Sequence, residues 1–195
     1  MRRICTTLSG LALLILLGSC HSAQNKQQSG ESDSTVVKMQ ANISDTLAAK
    51  MDAYLQTYFQ LKDAFVKTDT VAADEAALHL LENMSTLSLH ELQSDSVRYK
   101  RAHASLESLD GEILGLLGEK TLLGKRQELQ MISGISYDLI KAVGLKEGTT
   151  VYRDFCPMFN DGNGAYWLSD RKKISNPFYG DEMPGCGELK ETLQF

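Results

Sequence analysis

SDTLAAKMDAYLQTYFQLKDAF, residues 44–65, sets Leu47, Met51, Tyr54, Tyr58, Leu61 and Phe65 three and four positions apart. That spacing lines one face of a 3.6-residue period and predicts a long amphipathic helix. Downstream, Thr68-Asp69-Thr70 breaks the pattern and supplies capping side chains. A second helix is expected from Thr70, with Val71, Ala73, Ala77, Leu80, Leu81, Met84 and Leu87 on its buried side. Ala102, Leu106, Leu109 and Ile113 mark a third, which should end by about Gly118, since Gly111, Gly115 and Gly118 each cost about 1 kcal/mol relative to alanine inside a helix. Thr121 can cap a fourth that carries Leu122, Leu129, Ile132, Ile135, Leu139 and Val143 and stops at Gly144 and Gly148. Four such stripes joined by short polar turns pack most simply as an up-and-down bundle. The expected fold is therefore mainly all-α, a four-helix bundle over residues 44–148.

Upstream, Arg2 and Arg3 precede an apolar run, Leu8–Leu17, and then Gly18-Ser19-Cys20. The run is too short to span a bilayer and has the flanks of a secretory signal. Small residues before a cysteine also resemble the lipobox of bacterial lipoproteins, which implies cleavage of residues 1–19 and lipid on Cys20. Several acyl chains on one residue hold a protein stably at a membrane, where one alone is marginal. The expected location is the periplasmic side of the cell envelope. Residues 20–43 are rich in Gln, Ser and Asn and read as a disordered tether. Removing Arg2 and Arg3 takes the formal net charge from −5 to −7. An acidic body without a basic stripe argues against nucleic acid as a partner.

Beyond Gly148 the helical period disappears. Thr149–Phe155 is β-branched and aromatic, Asp161-Gly162-Asn163-Gly164 is a turn, and Ala165–Leu168 reads as a returning strand. Residues 149–195 are expected to form a small loop and β-hairpin flap on the bundle, with Phe155, Tyr166, Trp167 and Phe178 against helix side chains and one last helical turn over Glu188–Phe195. All three prolines and the one tryptophan lie here, between two sulfur pairs, Cys156-Pro-Met158 and Met183-Pro-Gly-Cys186. Cys5 leaves with the signal and Cys20 takes the lipid, so Cys156 and Cys186 remain. In an oxidising compartment the default for such a pair is a disulfide. Cys and Met together also make a soft donor set that selects Cu(I) or Ag(I), and zinc is disfavoured because no histidine lies after Thr149. From spacing alone both readings stay open, with thiol redox chemistry behind them.

Tyr152, Cys156-Pro157-Met158, Gly164–Ser169, Ile174, Asn176–Gly180, Met183 and Cys186-Gly187 together resemble the closing signature of DUF3347, a domain-of-unknown-function family. Tyr54-Leu55, Leu61–Val66 and the Arg126, Leu129, Ile132-Ser133 run resemble its first and last helices, so the likeness covers about Ser44 to Glu188. The family occurs as small exported proteins and as an extension of periplasmic adaptor subunits of copper and silver efflux pumps. The resemblance implies a helical bundle that presents Cys156, Met158, Met183 and Cys186 as soft-metal ligands, with Trp167 and Asn176 shaping the site and an efflux adaptor as a partner. Phe159 and the acidic, glycine-rich turn at Asp161–Gly164 depart from the family's usual run of small residues.

Two functions are expected to compete: a lipid-anchored carrier or buffer for Cu(I), and a disulfide-stapled interaction module without metal. An enzyme has little support, because no Ser-His-Asp order, carboxylate pair, Cys-x-x-Cys or phosphate loop stands out. His79, His90 and His103 lack a recurring ligand spacing and read as surface residues.

Overall fold

Each helix begins where a side chain satisfies its first free N–H groups. In a computed structural model that describes residues 34–40 and 42–195, Ser44 opens α1 (Asp45–Val66) by accepting from the Leu47 N–H at 3.2 Å. Its own N–H and hydroxyl donate to the Glu91 carboxylate, at 2.8 and 2.6 Å. Asp69, Asp95 and Thr121 cap α2 (Thr70–Ser85), α3 (Ser96–Gly118) and α4 (Leu122–Val143) in the same way. Gly144, at φ 95°, ends α4 in a conformation that favours glycine. The expected leader (1–19) and Cys20 lie outside the described residues, and no described helix is long and apolar enough to cross a membrane.

The predicted stripe of α1 is the centre of the core: Leu47, Met51, Tyr54, Tyr58, Leu61 and Phe65 are each 3% exposed or less. α1 packs on α2 and α3 on α4. Lys50 reaches the Thr86 carbonyl while Thr57 accepts from Asn83. Arg98 reaches the carbonyls of Ala142 and Val143, and Lys125 that of Leu116. Between α1 and α4, Tyr54 meets Ser136 and Tyr58 meets Ser133. In every pair the partner's number falls as the residue's rises, so these helices run in opposite directions. Val71 departs from expectation and is exposed, because α2 buries Ala73, Ala76, Ala77, Leu80 and Met84, a face nearly opposite to it.

The C-terminal region is more than a hairpin. β2 (Thr150–Cys156) and β3 (Ala165–Ser169) pair antiparallel as the sequence predicts. Glu188–Gln194, expected as a helical turn, is a strand, β4, antiparallel to β2. Thr35–Lys38, expected within the tether, forms β1, parallel to β4, and gives a four-stranded sheet in the order β1-β4-β2-β3. β4 becomes a strand by pairing with β2, and β1 by pairing with β4, contacts that neither segment's local pattern announces. The fold is mainly helical with a mixed sheet attached.

At the outer edge of β3 the Leu168 N–H would be left unpaired. It donates instead to the Tyr58 hydroxyl at 3.1 Å, and that hydroxyl lies 2.7 Å from Ser133 Oγ on α4. Three elements thus meet on one buried oxygen, whose burial pushes the phenol up to about 12. Beside it, Arg171 forks onto Asp63 and also holds Asp170, which ties the end of β3 to α1. Replacing Tyr58 by Phe keeps the ring and strands two buried polar groups. It should cost about 1–3 kcal/mol in urea unfolding, whereas a loss below about 0.5 kcal/mol would show that the edge is held by other contacts.

Candidate functional site

β2 carries Asp154 and Cys156 two positions apart, both fully buried. The bulge between Arg153 and Asp154 shifts the alternation so that both side chains fall on the inner face. Past Cys156 the chain turns, and Met158 stands half exposed. The return path brings the second sulfur pair to the same end of the sheet. Phe155 pairs with Glu188, and Gly187 lies so close that a Cβ on it would sit 3.0 Å from the Phe155 carbonyl and 2.8 Å from the Trp167 ring. At a φ of 145° that position suits glycine. Cys186, one residue earlier, is partly buried, as is Met183. Both cysteines are free thiols, so the stapled form held open by the sequence is not the one described.

Asn176 is the clip that shapes this loop. Fully buried, it donates from Nδ2 to the Cys186 carbonyl at 2.8 Å and accepts at Oδ1 from the Phe178 and Tyr179 N–H groups, while its own N–H reaches the Pro184 carbonyl. The Tyr179 hydroxyl then donates to the Met158 carbonyl at 3.1 Å. One network therefore connects both sulfur-bearing turns. Trp167 is buried edge-on against Phe178, whose other neighbour is Phe159, stacked at 4.5 Å. The flap's aromatic residues thus pair with each other, and Trp167 and Phe178 also join the buried cluster formed by the helices. Phe155 leans on Tyr166, and Arg153 bridges Tyr166 to Tyr137 of α4.

The loop is anchored on the helices at Gly180. A Cβ there would sit 2.6 Å from Thr68 Oγ1 and 2.8 Å from the Arg126 guanidinium, and its φ is 53°. Arg126 in turn donates from Nε to the Pro177 carbonyl at 3.0 Å, and the charges of Asp181 and Glu182 offset part of the burial that draws it down from the usual arginine range. Among the described residues no group of three or more His, Cys, Asp or Glu side chains is placed to hold a metal ion. Any ion at this end of the sheet would therefore depend on the thioethers as well as the thiols. His79, His90 and His103 are exposed, far in the chain from these turns.

Sequence reading missed Asp154. Its two carboxylate oxygens are buried without a hydrogen-bond partner, and so is Nε1 of Trp167, its cross-strand neighbour. Burial raises its pKa to about 7, against a smaller opposing pull from Lys62. Lys62 is itself fully buried, with Asp63 at 2.5 Å and Asp170 at 3.5 Å. One signal was available for Lys62: it lies four residues after Tyr58, inside the buried stripe of α1. Asp154 has no such signal, since the bulge that turns it inward is a product of pairing.

With this geometry in place, residues 54–148 match a family described as protein of unknown function (DUF3347). The match begins within α1 and ends before β2, so Cys156, Met158, Met183 and Cys186 lie outside it. No curated protein and no solved structure matches the chain.

The raised carboxyl makes stability fall with pH. Between the ordinary value of 3.8 and about 7 the unfolded chain has lost a proton that the folded chain keeps, so the folded state weakens as pH rises through that window and levels off above it. Three units correspond to about 4 kcal/mol. Asp154→Asn should match wild type near pH 4 and exceed it by several kcal/mol at pH 8 in denaturant unfolding. A difference constant across that range would show that Asp154 does not titrate as described.

Proposed function

We propose that this chain, a DUF3347 protein through residues 54–148, is a lipid-anchored periplasmic carrier or buffer for a soft cation, Cu(I) or Ag(I), working beside heavy-metal efflux. In this reading the helices are an up-and-down bundle, as their antiparallel contacts support, and the sheet and loop present the ligands Cys156, Met158, Met183 and Cys186. The observation that carries it is the convergence of both sulfur pairs on one end of the sheet, linked by Asn176 and Tyr179. Thiolate and thioether sulfur suit Cu(I) and Ag(I) and ligate hard cations poorly.

The exposure gradient fits transfer better than storage. Cys156 is buried, Met183 and Cys186 are partly covered, and Met158 faces solvent. A partner's ligand can displace the outer sulfurs first and the buried thiolate last. Free thiols are a requirement, since oxidation of Cys156 and Cys186 to a disulfide removes both thiolates. The membrane attachment through Cys20 and the efflux adaptor as recipient belong to this proposal and rest on the sequence features at residues 1–20 and on the family resemblance.

Anaerobic titration of reduced protein with Cu(I) against a competing chelator tests the site. One equivalent should bind, and Cys156→Ser and the Met158→Ala, Met183→Ala pair should each weaken it by at least about tenfold, equivalent to about 1.4 kcal/mol. Equal affinity in the methionine pair variant would remove the thioethers from the site, and no binding to reduced wild type would end the proposal.

A further inference from the structure

Between α2 and α3 the helices leave an open groove with an apolar floor. α2 and α3 pack together less closely than α1 with α2 or α3 with α4, because the chain between them runs through Thr86–Asp95 and a 3-10 turn at His90–Ser94 instead of a tight corner. On the outer side Leu81 and Met84 of α2 and Leu106 of α3 form a floor, and Glu82, Glu107 and Asp110 stand along it. No lysine or arginine lines that segment. The ionic neighbours of Glu82 and Glu107 are histidines, His79 at 3.5 Å and His103 at 3.3 Å.

Exposed aliphatic side chains follow on both helices. Because α2 and α3 run in opposite directions, Leu78, one turn from Leu81, and Leu114, about two turns from Leu106, both lie toward the start of α2, and they are 57% and 54% exposed. Val71, two turns beyond Leu78, is 70% exposed. Leu81 and Leu106 pack partly against the core, while Val71, Leu78 and Leu114 are exposed on the two helices that border the groove. Single exposed leucines are common, whereas several beside an apolar groove mark a contact site.

We infer that this groove docks a basic amphipathic helix of a partner protein. An apolar floor with a rim of one charge sign is the complement of a helix with leucines on one face and lysines or arginines on its flanks. The groove is lined over Leu81–Ser85 of α2 and Leu106–Asp110 of α3, and α2 itself, at sixteen residues, is about 24 Å long. Two copies of this chain would bring acidic rims together, and an anionic lipid surface would meet the same repulsion. The inference stands on α2 and α3 alone and does not depend on metal at the sheet.

The test uses the whole chain and a labelled sixteen-residue synthetic peptide with leucines at i, i+4, i+7 and i+11 and lysines beside them. Anisotropy should report saturable binding that weakens with salt, by at least about tenfold when glutamates replace the lysines. The Glu82→Lys, Glu107→Lys, Asp110→Lys variant alters only exposed side chains, so circular dichroism should match wild type while affinity for the lysine peptide falls by a similar factor. The Leu78→Ser, Leu114→Ser variant should weaken binding without changing its salt dependence. Equal binding by the charge-reversed variant overturns the inference. So does self-association of the wild-type chain in sedimentation that the leucine variant abolishes, because a second copy would then be the occupant.

Discussion

One buried hydroxyl sits where the helices and the edge of the sheet meet. Tyr58 projects from the first helix into a place where the fourth helix and the edge of the sheet also arrive, and its oxygen serves Leu168 and Ser133 together. A strand edge inside a protein must find partners for its free N–H groups, or the sheet is destabilised by the full desolvation penalty. Here the partner is a side chain from a different layer, and this seat joins the ties that Arg171 makes to Asp63 and Arg153 to Tyr137. Whatever the C-terminal loop presents is therefore held in register with the bundle.

The second constraint is the charge buried next to that seat. Lys62 and Asp154 lie in the interior with imperfect compensation, the lysine paired at its outer side with Asp63 and Asp170 and the carboxyl without a hydrogen-bond donor. Such groups weaken a fold, and they are tolerated where a shape is needed that apolar side chains would not define. The bulge at Arg153 and Asp154 turns Asp154 and Cys156 to the inner face together. The conformation that buries an awkward acid is thus the one that places a thiol beneath the loop.

Around these constraints the loop from Asp170 to Gly187 is built by backbone capture more than by apolar burial. Asn176 holds three backbone groups with its side chain, and Gly180 and Gly187 sit where any Cβ would collide. The helices offer a different kind of surface, a groove whose acidic rim lies on α2 and α3, apart in the chain from the sulfur-bearing turns. In the proposed carrier, the cation and its recipient would meet different elements of the fold.

Four helices, the caps at Asp69 and Thr121 and the inward stripe of α1 were legible in the sequence, because a 3.6-residue apolar period and a capping side chain are local properties. So were the β2–β3 hairpin and the sulfur pairs that bracket the loop. β1 and β4 were not, since a short segment becomes a strand only when a neighbour supplies hydrogen bonds, and β1 lies some 150 residues from its partner. Nor was the burial of Asp154, which follows from a bulge, or the exposure of Val71, which follows from the rotation of α2 about its axis. Local periodicity and chemistry determined the elements and the candidate ligands. Tertiary structure alone decided which polar groups share the interior, because that depends on distant backbone groups competing for the same few donors and acceptors.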